Sequence, residues 1–511
     1  MFKHWFILPV FFVVFNSCSK KTERSSTNNN SGGSTDTATN TGTVTTNSDY
    51  FLYGSNMGYY SGWTDQQLSE ILIGNSSKNI DGAGVNSLRP AMYEYFVEQW
   101  GYNIRSDAFA FYKQLGATNN VIFLGYPSEA HRDTTKYCSN NQSLTFANLY
   151  EPIWNSDGSV NNNNYYAKYV YNVVKTYGAY VKFWEVWNEP DYASSWSAAQ
   201  TWSTTNPNPC DLTGFYAPIQ RYVRMLHITY EVAKSIDKNA VVCLGGIGYD
   251  GFLDAVLRNT ENPTDGSVSS TYNKKGGEWF DCVSFHIYPM YNLNSTNKNS
   301  DAAANTIVSA KSSYQAVLTK YGYNSKSFII TECNIPRKEL SGYIGSDEAQ
   351  RNFLIKAAIA CQKENILGLY VFGPADNQTY AAATDPYQVM GFYQPITSTP
   401  YPYNVTPNSS AKSWRTVSSL LKDRLYSLSS TTAMKLPSNI DGAAFYSATA
   451  KNFIYVLWAK SSGNTETASA TYTFPSSLGI TNAAVYTWDN QTAGKTTGSI
   501  NLTGSPVFVK Q

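Results

Sequence analysis

Histidine is scarce in this chain, with four among 511 residues. No spacing of His and Cys resembles a metal-ligand set, so no metal is expected. Charge is sparse as well, at 15% of residues, and nearly balanced at a formal +1. A protein that holds nucleic acid by its phosphates carries a clustered positive excess, and this one has none to offer. A glycine-rich phosphate turn after the first strand is also missing. That speaks against a doubly wound nucleotide-binding sheet, the runner-up architecture, and leaves no cofactor to expect. Internal repeats are missing outside one low-complexity stretch. Past the first residues, no apolar run is long enough for a transmembrane helix.

Aromatic residues are abundant at 15%, including 40 Tyr and 12 Trp. Their apolar faces and polar edges suit sugars, but they also fill cores. The N-terminal "MFKHWFILPVFFVVFNSC" has early basic residues, an apolar run from Trp5 to Phe15 and a small-residue step into Cys18. It reads as an export signal. "FNSC" resembles a bacterial lipobox, with Phe15 where Leu is usual, which implies lipidation of Cys18 and anchoring in an outer membrane, at either face. Residues 19–48 are rich in Ser, Thr, Asn and Gly and cannot bury a core, so they read as a tether. Of the seven cysteines, Cys243, Cys282, Cys333 and Cys361 lie in apolar segments and are expected in the core. Cys138 and Cys210 lie in polar, loop-like stretches of an exported chain and are available for a disulfide.

From Tyr50 onward, short apolar strands alternate with amphipathic helices. The strands are "FLYGSNMG", "NSLRPAM", "NVIFLGYP", "VKFWEVWNEP", "VVCLGGIG", "CVSFHIYP", "FIITECN" and "LGLYVFGP". The helix "PIQRYVRMLHITYEVAKSID" sets Ile219, Tyr222, Val223, Leu226 and Tyr230 on one face. Eight such pairs predict an α/β fold, a (β/α)8 TIM barrel over 49–428. Short strands separated by turns then predict a small all-β sandwich over 429–511.

In a barrel, chemistry sits at the C-terminal ends of the strands. "KFWEVWNEPDY" brings Asn188 and Glu189 to the end of strand four, where Pro190 stops pairing. "FIITECN" brings Glu332 to the end of strand seven, roughly opposite. Two carboxyl groups facing each other are what cleavage of a glycosidic bond requires, one to protonate the leaving oxygen and one to attack or to activate water.

Over roughly Tyr50–Leu428 the chain resembles clan A of the glycoside hydrolases, retaining (β/α)8 enzymes, with family 39 among the closer likenesses. "WNEP" matches the acid/base strand of that clan and implies Glu189 as acid/base and Asn188 as a ligand of the 2-hydroxyl. "TECN" resembles the nucleophile strand and implies Glu332. "SFHIYP" implies Tyr288 or His286 as the group that orients the nucleophile, and "SLRP" implies Arg89 beside it. Strand eight of the clan often ends in a Trp platform; here "YVFGPADN" offers Phe372.

Blander readings stand beside these. Arg89 serves equally as a structural ion pair, His286 as a satisfied core histidine, and Glu185 as a buried barrel carboxylate. His131, Arg132, Arg337 and Lys338 follow strands three and seven, where they could hold an anionic substituent or merely form a solvated rim. Tyr59, Tyr60, Trp63, Tyr126, Trp196 and Trp202 are candidates for stacking on sugars. Trp458 and Trp488 look exposed in the C-terminal domain. The sequence therefore predicts an exported, lipid-anchored, monomeric retaining β-glycoside hydrolase acting within a polysaccharide. An exo-acting glycosidase and an inactive glycan-binding lipoprotein are the rivals.

Overall fold

The computed structural model describes residues 50–396 and 403–511. The segments expected to be an export signal and a tether, and Cys18, lie outside them. The first sheet is parallel throughout and contains β1 (Leu52–Asn56), β2 (Ser87–Arg89), β3 (Ala91–Tyr93), β4 (Asn120–Gly125), β5 (Val181–Val186), β6 (Val241–Cys243), β7 (Cys282–Ile287), β8 (Ser327–Cys333) and β9 (Ile366–Val371). Its order is β2-β1-β9-β8-β7-β6-β5-β4-β3. The two ends of that order are consecutive in the chain, parted only by Pro90, which lacks the N–H that a ladder needs. β2 pairs with β1 and β3 pairs with β4, so one broken course of chain serves both edges and closes the ring. The continuous strand expected from "NSLRPAM" is thus two short ones, and β5, β7, β8 and β9 occupy barrel positions four, six, seven and eight.

Amphipathic helices return the chain between strands. Ile219–Ile236 buries Tyr222, Val223 and Leu226, the face expected from its spacing, and Tyr230 packs half-buried against the same core. Tyr165–Tyr177 starts where the Asn164 side chain accepts from the Ala167 N–H. The floor of the ring is apolar: Leu52, Val121, Phe183, Cys243, Ile329 and Tyr370 form one cluster. Gly54 is needed there, since a Cβ would lie 2.3 Å from the Tyr370 ring. A floor this dry leaves polar side chains of the interior to the opposite end, the mouth.

The C-terminal strands are β10 (Leu425–Tyr426), β11 (Ile440–Ser447), β12 (Asn452–Ala459), β13 (Ser469–Thr473), β14 (Ala483–Tyr486), β15 (Thr492–Thr496), β16 (Ser499–Thr503) and β17 (Val507–Lys510). They form a six-stranded sheet, β10-β11-β12-β17-β14-β15, and a β13-β16 pair. The strand β10 already pairs with β11 four residues before the expected start at 429. Alternation along β11 and β12 divides two cores. Phe445, Ile454, Val456 and Trp458 join the barrel's core, whereas Ala444, Tyr455, Leu457 and Ala459 pack with Tyr472, Phe474 and Leu502 inside the sandwich. Trp458 is therefore not exposed, as expected, but 3% accessible. Its Nε1–H donates to Asp301 at 2.7 Å, beside the buried Lys356 ammonium, which donates to the same carboxylate at 2.7 Å. Trp488 is half-buried under the Arg351 guanidinium. The four core cysteines are free and buried, and Cys138 is bonded to Cys210.

Candidate active site

The chain leaves β5 through two non-glycine residues in the left-handed region, Trp187 (φ 76°) and Glu189 (φ 47°). Each such residue costs on the order of 1–3 kcal/mol unless its surroundings fix it. They do. The Trp187 amide donates to Leu124 O at 2.8 Å and its indole N–H to Gly214 O at 2.9 Å, while the Glu189 amide donates to Gly245 O at 2.6 Å. The result aims Asn188 and Glu189 into the mouth.

Arg89, 1% exposed, is the hub of that mouth. Its Nε–H donates to Glu185 at 2.6 Å, Nη1 to Glu332 at 2.8 Å and Nη2 to Asn188 Oδ1 at 2.8 Å, and its guanidinium lies over the Phe123 ring. Arg89 thus forms a buried ion pair with Glu185 and reaches Glu332 with the same side chain. Burial works against its charge, but Glu185 and Glu332 overcome this and raise its pKa. Glu185 is the buried barrel carboxylate: its second oxygen accepts from the Ser284 and Thr331 hydroxyls, leaving nothing to offer a ligand.

Glu332 takes a second donor at its other oxygen, the Tyr288 hydroxyl at 2.7 Å. Burial first, and then the neighbouring Glu332, push that phenol well above its usual range, so it remains a neutral donor. His286 Nδ1 lies 2.8 Å from Glu189 and 3.8 Å from Glu332. Burial opposes protonation of the imidazole, yet the two carboxylates prevail and raise its pKa. Its Nε2 is buried with no partner among the described residues, packed toward Gly246, where a Cβ would lie 2.1 Å away. One ligand atom each of Glu189, His286 and Glu332 lies within 4.8 Å of the others, so the nearest oxygens of the two carboxyl groups come at least that close. Such a triad has the spacing of a metal site, but both oxygens of Glu332 already face Arg89 and Tyr288. A carboxylate whose two oxygens are taken by a guanidinium and a hydroxyl has little left to offer a second cation.

Sequence reasoning missed three members. Asn56, at the end of β1, donates from Nδ2 to Glu332 Oε1 at 3.4 Å, and its buried Oδ1 has no partner among the described residues. Its position at a strand's C-terminal end was the available signal. Tyr387 packs edge-on against Tyr288 at 4.9 Å and comes from a loop with no motif. Asp191, buried two residues past Glu189, accepts the Gly248 and Tyr249 amides at 2.8 Å each, both on Oδ2. Desolvation, only partly offset by those bonds, pushes it up to about 7. Phe372 is half-buried and meets Tyr288 edge-on at 5.9 Å, a wall of the site in place of a broad platform.

Three of the four charged loop residues turn inward, while Arg132 is half-buried with an Nε that has no partner among the described residues. His131 pairs with Glu94, Arg337 with Asp376 at 2.8 Å, and the Lys338 ammonium donates to the carbonyls of Tyr380 and Ala383. Burial also sorts the aromatics. Trp63 and Trp202 are core residues, and the Tyr60 hydroxyl donates to Ala375 O. Tyr126 is half-buried against Trp187. Tyr59 and Trp196 are exposed.

No protein-family model and no curated protein sequence matches this chain. Solved structures do. A glucosidase from Croceicoccus marinus is 12% identical with a TM-score of 0.52, covering 90% of this chain and 95% of that one. SrfJ from Salmonella typhimurium is 9% identical with a TM-score of 0.50, covering 91% and 90%. The catalytic domain of a GH30 xylanase C from Talaromyces cellulolyticus is 15% identical at 0.49, covering 91% and 96%. At these identities the first two likenesses are likenesses of fold.

Proposed function

We propose that this protein is a retaining β-glycoside hydrolase acting within a polysaccharide. The observation that carries the reading is that one carboxyl oxygen of Glu189 and one of Glu332 lie within 4.8 Å of each other, with His286 Nδ1 beside both. Retaining pairs are the closer type, with carboxyl groups about 5–5.5 Å apart against about 6.5–9.5 Å for inverting pairs, which hold a water between them, so a near approach of the oxygens favours retention. Glu332, held by Arg89 and Tyr288, attacks the anomeric carbon. Glu189 gives its proton to the leaving oxygen, and the bond to that oxygen breaks as the bond to Glu332 forms. Glu189 then takes a proton from water, which displaces Glu332 and restores both groups. Asn188, held by Arg89, faces the 2-hydroxyl, and Asn56 Oδ1 offers an acceptor beside the nucleophile.

The clan A likeness of the "WNEP", "TECN" and "SFHIYP" segments supports these roles, as does the glycoside-cleaving name carried by the Croceicoccus structure. The inward pairing of His131, Arg337 and Lys338 supports a neutral sugar over a sulfated or uronic one. Export and anchoring through Cys18 remain part of the proposal. The Cys138–Cys210 bond supports an oxidising compartment.

The test is a panel of β-glucans, xylans, galactans and mannans assayed for reducing ends and product size, with wild type beside Glu332→Ala and Glu189→Ala. One polymer cut by wild type alone, into oligosaccharides of several lengths, is the expected result. Release of one sugar or one disaccharide at a time would replace internal cutting with an exo mode. Binding without cutting, equal in all three proteins, would replace the enzyme with a glycan-binding protein.

A further inference from the structure

Trp196 is 67% exposed. A lone exposed aromatic is ordinary, but this one is braced. Its ring lies against Tyr249, centroids 5.8 Å apart, and Tyr249 meets the buried Trp202 edge-on at 5.5 Å. Tyr192, half-exposed, precedes it on the same loop. The Tyr249 phenol is pushed up to about 12 by burial and then by nearby acids, Asp191 first and Glu189 among them; Tyr192 is raised by burial and then by Glu189. The two tyrosines therefore stand within electrostatic reach of Glu189, and Trp196 packs on one of them.

The loop that carries them is fixed rather than free. Its Asp191 carboxylate takes the Gly248 and Tyr249 amides. Tyr192 O accepts from the Thr213 amide at 2.9 Å, Ala193 bridges Leu212, and Ser194 donates to Asp211 at 2.9 Å. Cys210 then ties the far end of the loop to Cys138. A ring exposed to water on a pinned support is prepared for a ligand, because little ordering remains to be done on binding.

Position around the ring decides which part of the ligand. Glu332 and its partners Asn56, Arg89 and Tyr288 come from barrel positions seven, one, two and six. Trp196 follows position four and Tyr249 position five, on the side of Glu189. If Glu189 protonates the leaving oxygen, whatever departs lies on its side.

We propose that Trp196, backed by Tyr249 and flanked by Tyr192, is a stacking platform for the sugar ring on the leaving-group side of the scissile bond. This rests on the functional reading above and deepens it. The substrate continues past the cleaved bond as carbohydrate presenting an apolar ring face, so a saccharide leaving group is bound rather than merely released.

The test compares wild type, Trp196→Ala and Trp196→Phe on two substrates of the sugar that the panel selects. One is the tetrasaccharide, whose leaving group can stack. The other is the β-glycosyl fluoride, whose leaving group is a single atom. The ratio of kcat/KM, tetrasaccharide over fluoride, is expected to fall about tenfold in Trp196→Ala, chiefly through KM, and to recover with Phe. An unchanged ratio overturns the platform while leaving the enzyme reading intact. Calorimetry of the same tetrasaccharide with Glu332→Ala protein, with and without Trp196→Ala, judges the platform without turnover. If no polymer is cut, the reading of function fails, and this measurement uses cellotetraose, xylotetraose and mannotetraose. About tenfold weaker binding without Trp196 supports the platform; equal binding, or none by either protein, overturns it.

Discussion

Two clusters of buried charge can be compared in this molecule, one at the barrel's mouth and one at its seam with the sandwich. At the seam, Lys356 donates to Asp301 and Ser300, Asp301 also takes Trp458 and the Ser461 amide, and Glu466 takes Ser300 and Asn352. The Lys356 ammonium and the Asp301 and Glu466 carboxylates there are answered by protein, and the buried polar atom of the cluster without a partner among the described residues is the neutral Asn352 Oδ1. At the mouth, Arg89 is equally saturated, but Asn56 Oδ1 and His286 Nε2 have no partner among the described residues, and Glu189 keeps a side chain 31% exposed. Backbone strain follows the same division: Tyr126, Trp187 and Glu189, all in the left-handed region, belong to the mouth. Closed charge braces a structure, while charge left open, held by strained and well-fixed backbone, is prepared for something that arrives.

Substitutions can break that comparison, and the largest effect belongs to the mouth. Glu332→Ala should lower the rate on the cleaved polymer by about 10⁴-fold or more, the scale on which other hydrolases lose a nucleophile. Lys356→Met at the seam should do the reverse: unfolding free energy measured in urea falls by about 3–5 kcal/mol, the cost of stranding buried carboxylates, while kcat at 25 °C stays as in wild type. A Lys356→Met protein of unchanged stability would end the contrast.

Asp191 lies between the two types, buried yet placed beside Glu189. Its pKa of about 7 is above the usual carboxylate range, so the folded protein keeps a proton that the unfolded chain releases. That stabilisation is full below about pH 4 and is lost as pH rises toward 7. Asp191→Asn cannot titrate, so the Tm of wild type minus that of the variant should fall between pH 4 and 7 and level off above. A constant difference would remove Asp191 from the list of strained acids. The smallest effect is expected from Asn56→Ala. It should cost about tenfold in kcat/KM, the worth of one hydrogen bond to a charged group, with Tm unchanged.

Much of this was legible in the sequence because barrels tie position to role. Glu189, Glu332, Arg89, Tyr288 and His286 all stand at strand ends, and a strand announces itself by its apolar run. Asn56 obeys the same rule but sits among small residues in "GSNMG", so no motif marks it. Tyr387 and the pinning of the loop after β5 depend on which loops meet in space, which residue spacing does not encode. Trp458 misled for a related reason: β12 is apolar on both faces, and only the barrel's helices reveal that its outer face is covered. The charges of His131, Arg337 and Lys338 looked free because their partners, Glu94, Asp376 and distant carbonyls, lie 37 or more residues away.

The central claim is retention by a close carboxyl pair, and stereochemistry tests it most directly. Proton NMR of the first minutes of hydrolysis, on the β-linked polymer that the panel selects, reads the anomeric form of the newly formed reducing end. The account requires the β-anomer first, with the α-anomer growing only by mutarotation. An α-anomer that appears first would mean direct displacement by water, and the pairing of Glu189 with Glu332 as acid and nucleophile would have to be abandoned.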